Sequence, residues 1–298
     1  MWTPDFACPR CAAPLGSSVP DTCGACGGQY GCRLGILRFL PTRPEGLAVF
    51  LAQYRAVRRA DGHVATSLER FRALPDAGAD DPNAAEWRIR RQSFRTFLDR
   101  VCGRSAAGLR VLDVGAGCGW LAHRMARLGA AAVAVDVNDD GEDGLGVVAR
   151  AGGPGLTLVQ ADFDALPFTP HQFDAVVLNA SLHYAPDPVS TLVRVARMVA
   201  AGGALVVMDS PMFVRADDGR LMVREHGAAI ASAAGVATAV RPGPGFLTFE
   251  QLRDAADHVC LRPQFIASDG PLAWRVRRAW SGWRLGRAPA AFGVWVAR

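Results

Sequence analysis

The chain of 298 residues contains no lysine. All 33 of its Lys+Arg cations are arginines, and the net charge is only +5. Arginine has therefore replaced lysine on ordinary surface, so clusters of basic residues do not by themselves indicate nucleic-acid binding. No long uncharged apolar run is present, which excludes a helix able to cross a bilayer. The start, Met1 to Cys11, lacks a basic stretch followed by an apolar one, so no secretory signal is expected. The expected location is the cytoplasm, where thiols stay reduced and disulfides are rare. Half of the residues are hydrophobic, enough for a sizeable core.

Five of the eight cysteines fall within the first 32 residues. Cys8-x2-Cys11 and Cys23-x2-Cys26 are two C-x-x-C turns, each presenting a pair of thiolates on one side. Together they complete a tetrahedral Zn2+ shell with no open position, so the metal is expected to be structural. A segment this short cannot bury enough core alone, and metal would supply its folding energy. Cys32 is expected to be a small core residue rather than a fifth ligand.

A boundary is expected near Pro41–Glu45. Beyond it Leu47, Phe50, Leu51, Tyr54 and Val57 share a helical face. A second helix is expected over 84–103, burying Trp87, Phe94, Leu98 and Val101, with Arg90, Arg91 and Arg95 on a solvated face. From Leu109 short Val-rich runs alternate with helical stretches, the pattern of a parallel sheet covered on both faces. Thr248 is positioned to cap a late helix, and two closing segments, around Phe265 and Trp295, read as a final pair of strands. The expected layout is a zinc ribbon over 1–45, a helical linker or lid over 46–104, and a Rossmann-like doubly wound α/β domain over 105–298. The last carries an insert around 211–249.

Three glycines, Gly115, Gly117 and Gly119, lie between the first strand of this pattern and its helix. Such a turn lets backbone approach a nucleotide closely, at the electropositive start of a helix. Asp136 ends the next strand, where a carboxylate can accept both hydrogen bonds of a ribose diol.

The stretch Asp113-Val-Gly-Ala-Gly-Cys-Gly resembles the first motif of class I S-adenosylmethionine (SAM) dependent methyltransferases. "QADFDALPF" resembles their third motif, and "FDAVVLNASLHYAPDP" the fourth motif of the small-molecule, type 11-like branch. The resemblance covers Leu109 to Ser210. It implies SAM bound by Asp113, the three glycines, Asp136 with Val137, Asp162 at the adenine amino group, Phe163 against the ring, and Asn179. His183 follows the fourth strand, where an acceptor approaches, and is the candidate base or else a packing residue. Tyr54 and Arg58 are candidates for a lid over the sulfonium and for its carboxylate.

The amino-terminal cysteines are also similar to ribbons that precede SAM domains in bacterial 23S rRNA guanine-N1 methyltransferases. An Asn-Pro-Pro-Tyr motif, common in base-directed amino methyltransferases, is absent, since Asn179 is followed by Ala180, Ser181 and Leu182. Three functions stay open: methyl transfer to a small or amphipathic metabolite, methylation of rRNA or tRNA gripped by the ribbon, and a SAM-binding protein with other chemistry. Trp274, Trp280 and Trp283, interleaved with Arg275, Arg277, Arg278, Arg284 and Arg287, suit RNA stacking, docking on anionic lipid, or a core helix with solvated arginines.

Overall fold

The computed structural model describes residues 2–40, 45–64, 67–234, 242–268, 276, 280, 282, 284 and 286–298. Trp274, Arg275, Arg277, Arg278 and Trp283 lie outside the described residues, so the aromatic and arginine-rich stretch gains no structural account.

The chain begins with short strands β1 (Phe6–Ala7), β2 (Pro14–Gly16), β3 (Gly31–Arg33) and β4 (Ile36–Arg38). Helices α1 (Glu45–Ala60), α2 (Leu68–Ala73) and α3 (Ala84–Arg100) follow. The alternating region is β5 (Arg110–Val114), α4 (Trp120–Arg127), β6 (Ala131–Asp136), α5 (Leu145–Ala151), β7 (Leu156–Gln160), β8 (Phe173–Asn179), α6 (Pro188–Ala196) and β9 (Val199–Met208). The remainder is β10 (Met212–Phe213), α7 (Ala216–Ala234), β11 (Leu247–Thr248), α8 (Phe249–His258), β12 (Pro263–Ala267) and β13 (Gly293–Ala297).

Nine strands form one sheet in the order β12-β13-β9-β8-β5-β6-β7-β4-β3. From β9 to β4 every neighbouring pair is parallel. Strand β5 lies between β6 and β8, so the chain winds one way through β6 and β7 and then crosses back to β8 and β9. That reversal opens a crevice beyond the carboxyl ends of β5 and β8, where ligands of such sheets bind. The central strands are apolar on both faces, as a doubly covered sheet requires. Leu112, Val133, Val176 and Val207 serve one face and Val111, Ala132, Val177 and Val206 the other.

Several boundaries differ from the sequence pattern. The run 189–203 reads as one helix in the sequence, but α6 ends at Ala196 and β9 starts three residues later. Val199 pairs with Phe173 of β8, and after a register shift the ladder resumes with Ala204 opposite Ala175. Thr248 caps α8 as expected, in a full capping box with Gln251. The closing strands pair antiparallel, β12 on β13 and β13 on β9.

The amino-terminal segment is joined to the main sheet. Strand β4 pairs parallel with β7, Ile36 opposite Leu158 and Arg38 opposite Gln160. Phe6 stacks on Phe39 at 5.6 Å and meets Phe168 at 5.5 Å, within the core that also holds Phe173 and Leu182. Cys32 is exposed on β3, not buried as expected, because that strand is the free edge of the sheet. No helix among the described residues is long and apolar enough to cross a membrane.

Candidate functional site

Two adjoining cavities occupy the crevice. The first, of about 360 Å³, runs from Gly115 and Gly117 past Asp136, Val137 and Asn138 to Asp162 and Phe163. Its roof is α1, through Leu47, Phe50, Leu51 and Tyr54. The face that periodicity picked out on this helix thus covers the cleft. The second, of about 220 Å³, lies beyond Gly117 and is bounded by Arg58, His63, Trp87, Arg90, Cys118, Asn179, His183 and Asp209. Tyr54 and Tyr184 border both, ring centroids 5.8 Å apart and edge to face.

The three glycines do different work. All have positive φ, at +71°, +56° and +77°, where a Cβ is strained. A Cβ on Gly115 would lie 2.4 Å from Ser181 Cβ, and one on Gly119 2.6 Å from Val148 Cγ1. A Cβ on Gly117 would meet nothing within 4 Å. Gly117 therefore faces open cleft, whereas Gly119 borders neither cavity and lets α4 pack against α5.

Asp136 is organised from both sides. Its Oδ2 accepts the Gly117 N–H at 2.7 Å and its Oδ1 accepts the Asn138 N–H at 2.7 Å. Each oxygen keeps a further lone pair for a diol. Burial raises the Asp136 carboxyl to about 6, making it a weaker acid, against the pull of those two N–H groups. Asp162 borders the first cavity, with Oδ1 accepting the Asp164 N–H at 2.8 Å. Gln160 donates from Nε2 to the Val137 carbonyl and accepts from Arg38 at 2.7 Å, so the cysteine-bearing segment reaches the floor of this cavity.

Asp113 lies beneath the start of α4. It is 1 % exposed and borders neither cavity. Its Oδ2 accepts the Ala122 N–H of α4 at 3.3 Å, and its Oδ1 has no partner. The side chain points back under the helix start because the sheet's alternation buries it there. Burial holds its carboxyl up at about 7. Arg58 borders the second cavity, but its Nε is committed to Asp143 at 3.1 and 3.3 Å and its guanidinium stands 5.7 Å from the Tyr54 ring. Its charge is thus paired with a carboxylate of the protein.

The second cavity contains residues that sequence reasoning missed. Arg90, assigned to a solvated face, instead packs 5.1 Å from the Trp87 ring centre and pairs with Glu86. Trp87 Nε1, His63 Nδ1, Asn179 Oδ1 and Asp209 Oδ2 are buried without hydrogen-bond partners. Asp209 follows β9 with φ +55°, and Ala180 follows β8 with φ +53°. Such conformations collect at ligand sites. A signal for Asp209 existed: "VVMDS" ends an apolar strand in an acid, as "VAVDV" does at Asp136. His183 borders this cavity, its Nδ1 3.1 Å from Ser210 Oγ and its ring 4.3 Å from that of Tyr184. Cys118 sits in the same wall, its thiol raised to about 11 by burial and so inert as a nucleophile.

At the other end of the molecule the Sγ atoms of Cys8, Cys11, Cys23 and Cys26 lie within 4.8 Å of one another. The Cys8–Cys26 and Cys11–Cys23 separations are 3.6 and 3.8 Å. A tetrahedron with Zn–S bonds of ~2.3 Å has edges of ~3.8 Å. Tyr30 donates its hydroxyl to Cys8 Sγ at 2.8 Å. Burial opposes ionisation of Cys8, but this donation and the N–H groups of Cys11 and Arg10 bring its thiol down to about 6.

Residues 112–207 match the family model described as a methyltransferase domain. Ubiquinone biosynthesis O-methyltransferase of Vibrio cholerae serotype O1 is 37% identical over 97 residues, covering 32% of this chain and 40% of that protein. Its namesake in Xanthomonas campestris pv. campestris is 35% identical over 149 residues, covering 47% and 59%. The chain thus spans about half the length of these curated relatives. Among solved structures, magnesium protoporphyrin IX methyltransferase of Synechocystis PCC 6803 superposes with a TM-score of 0.52 at 16% identity, covering 82% of this chain and 98% of that one. The Burkholderia thailandensis 1,6-didemethyltoxoflavin-N1-methyltransferase gives 0.51 at 18%, covering 86% and 90%. The chain has the Rossmann-like fold of class I methyltransferases, and its residues 112–207 are similar to the methyltransferase-domain family.

Proposed function

We propose that the protein is a SAM-dependent methyltransferase acting on a small-molecule acceptor. The observation that carries this reading is the cleft itself. Gly117 opens onto space beside a carboxylate whose two oxygens are aligned by backbone N–H groups. In this reading Asp136 holds the ribose, Val137, Asp162 and Phe163 the adenine, and Asn179 the amino-acid end.

SAM supplies a methyl group already activated by its sulfonium, so the protein's task is alignment and removal of one acceptor proton. The methyl leaves with the sulfur retaining the bonding pair, and the acceptor's proton passes to a base. His183 is proposed for that role, its ring oriented through Nδ1 by Ser210. Tyr54 and Tyr184 close the junction between the two cavities.

The similarity to ubiquinone biosynthesis O-methyltransferases supports a small acceptor with an aromatic or apolar body. The arginines support it too. Arg38, Arg55, Arg58, Arg59, Arg70 and Arg110 each pair with a carboxylate. A cation so compensated adds little to a phosphate-binding field. We also propose structural zinc on Cys8, Cys11, Cys23 and Cys26, which suits a reducing, cytoplasmic setting. The working division is a ribbon over 1–45, a lid over 46–104 and the SAM domain over 105–298 with its insert at 211–249. Incubating the protein with methyl-labelled SAM and separate metabolite and RNA pools tests the function. Label in a metabolite fraction is expected; label only in rRNA or tRNA overturns the acceptor class, and SAM bound with no transfer overturns the activity.

A further inference from the structure

Four acids stand in the five positions that follow Asn138: Asp139, Asp140, Glu142 and Asp143. The loop leaves β6 directly after Asp136, and its Asn138 N–H is one of the two that align that carboxylate. Like charges so closely spaced repel one another. Here each meets an arginine. Arg38 pairs with Asp139 at 2.5 Å, Arg55 with Asp140 at 2.9 Å, Arg58 with Asp143 at 3.1 Å and Arg59 with Glu142 at 2.6 Å. All four arginines precede β5, so none belongs to the alternating region that carries the loop. One comes from β4 of the cysteine-bearing segment, and three come from α1, the roof of the first cavity.

The pairs differ in strength. The Arg59 and Glu142 side chains are 61 % and 55 % exposed, and a pair so wet contributes little. Those of Arg58 and Asp143 are 18 % and 2 % exposed, where separation strands a buried charge. The firmest grip on α1 is therefore at Arg58, one turn beyond Tyr54. The loop can transmit that grip because it is wound on its own side chains. Asp140 Oδ1 accepts the N–H groups of Glu142 and Asp143, while its Oδ2 accepts from Arg55. Asn138 accepts the Asp140 N–H at Oδ1 and donates from Nδ2 to the Asp143 carbonyl. From the other side Arg38 also donates to Gln160, whose Nε2 donates to the Val137 carbonyl. Val137 and Asn138 thus lie between two grips.

We propose that Arg38, Arg55, Arg58 and Arg59 are positioning residues for cofactor binding: they form an ionic clamp on loop 138–143 that fixes the Asn138 N–H against Asp136 and holds α1 over the cleft. The cysteine-bearing segment and the lid helix thereby act on the ribose through one loop. Weakening either grip loosens the partner of the ribose carboxylate and frees the roof, so cofactor binds less tightly.

This inference rests on the methyltransferase reading, and the experiment separates the two. S-adenosylhomocysteine has no net charge near neutral pH, so the effect of salt on its binding reports the protein's own ion pairs. Calorimetry on the full chain is expected to show its affinity falling about threefold or more between about 0.05 and about 0.5 M NaCl. At low salt Arg38→Met and Asp139→Asn are each expected to weaken binding about three- to fivefold, and the double variant no further, because both remove the same pair. Arg55→Met and Asp140→Asn, the latter keeping its Oδ1 acceptor, are expected to form a second such cycle. Thermal unfolding is recorded for every variant. Failure of the wild type to bind S-adenosylhomocysteine overturns the methyltransferase reading and this one with it. With that binding intact, an affinity indifferent to salt overturns the inference alone. So do additive losses in either cycle, or variants that melt earlier yet bind unchanged when folded, since the pairs then only stabilise the fold.

Discussion

Replacing Gly117 and Gly119 separately by alanine should split ligand binding from stability. Both residues are in the left-handed region, at +56° and +77°, where an L side chain costs ~1–2 kcal/mol. Beyond that shared cost their surroundings differ. The Gly117→Ala methyl meets nothing of the protein within 4 Å, so its loss of stability should stop at the backbone cost. It does enter the cleft, and crowding a close-fitting ligand by one methyl costs ~1–3 kcal/mol, roughly a 5- to 150-fold loss of SAM affinity. The Gly119→Ala methyl comes within 2.6 Å of Val148 Cγ1 and 2.9 Å of its Cβ. Val148 is β-branched in a helix and cannot swing away, so overpacking adds ~1–3 kcal/mol to the backbone cost. Gly119→Ala should therefore lose ~2–5 kcal/mol of stability while folded molecules bind SAM within about twofold of wild type. Denaturant unfolding and calorimetry on both variants check this, and adding Val148→Ala to Gly119→Ala should recover the overpacking part. A Gly119→Ala protein that is stable but blind to SAM would falsify the division of roles, as would a Gly117→Ala protein that binds normally.

SAM affinity should fall as pH drops through about 6, approaching tenfold per unit, because the ribose diol needs the Asp136 carboxylate. The sign for folding is opposite. This carboxyl holds its proton more tightly in the native state, so its contribution to stability is full below its unfolded value near 3.8 and is lost as pH rises through about 6. Calorimetry from pH 5 to 8 on wild type and Asp136→Asn should show the affinity slope only in wild type. Metal analysis should find one zinc per chain, and none in a Cys23→Ala/Cys26→Ala variant. Chelation should also weaken SAM binding, since Arg38 bridges Asp139 and Gln160 beneath the first cavity; unchanged SAM affinity in a zinc-free protein refutes that link. His183→Ala should lower kcat by ~10²–10⁴-fold with SAM affinity nearly intact, and a parallel fall in SAM affinity would mean that the ring only packs.

What the sequence determined by itself was local. The Gly-rich turn, the acid after the second strand, the C-x-x-C pairs and the Thr248 cap are all readable because each depends on neighbours a few residues away. The alternation of Val-rich runs and helices was enough for a doubly wound sheet. The roles inside the motifs were decided elsewhere. Gly117 and Gly119 look alike in the sequence, but one faces the cleft and the other faces Val148, 29 positions along the chain by their numbers. Asp113 sits in the motif yet turns under α4, because the pleat of β5 leaves it on the buried side. Arg90 reads as one of several exposed arginines on a polar helix face; only the packing of α3 against β13 brings it to the second cavity with Trp87 and Asp209. The cysteine-bearing segment shows the same limit. Its ligand spacing is local, but the pairing of β4 with β7 is a contact across more than a hundred residues, and no periodicity in either strand encodes its partner.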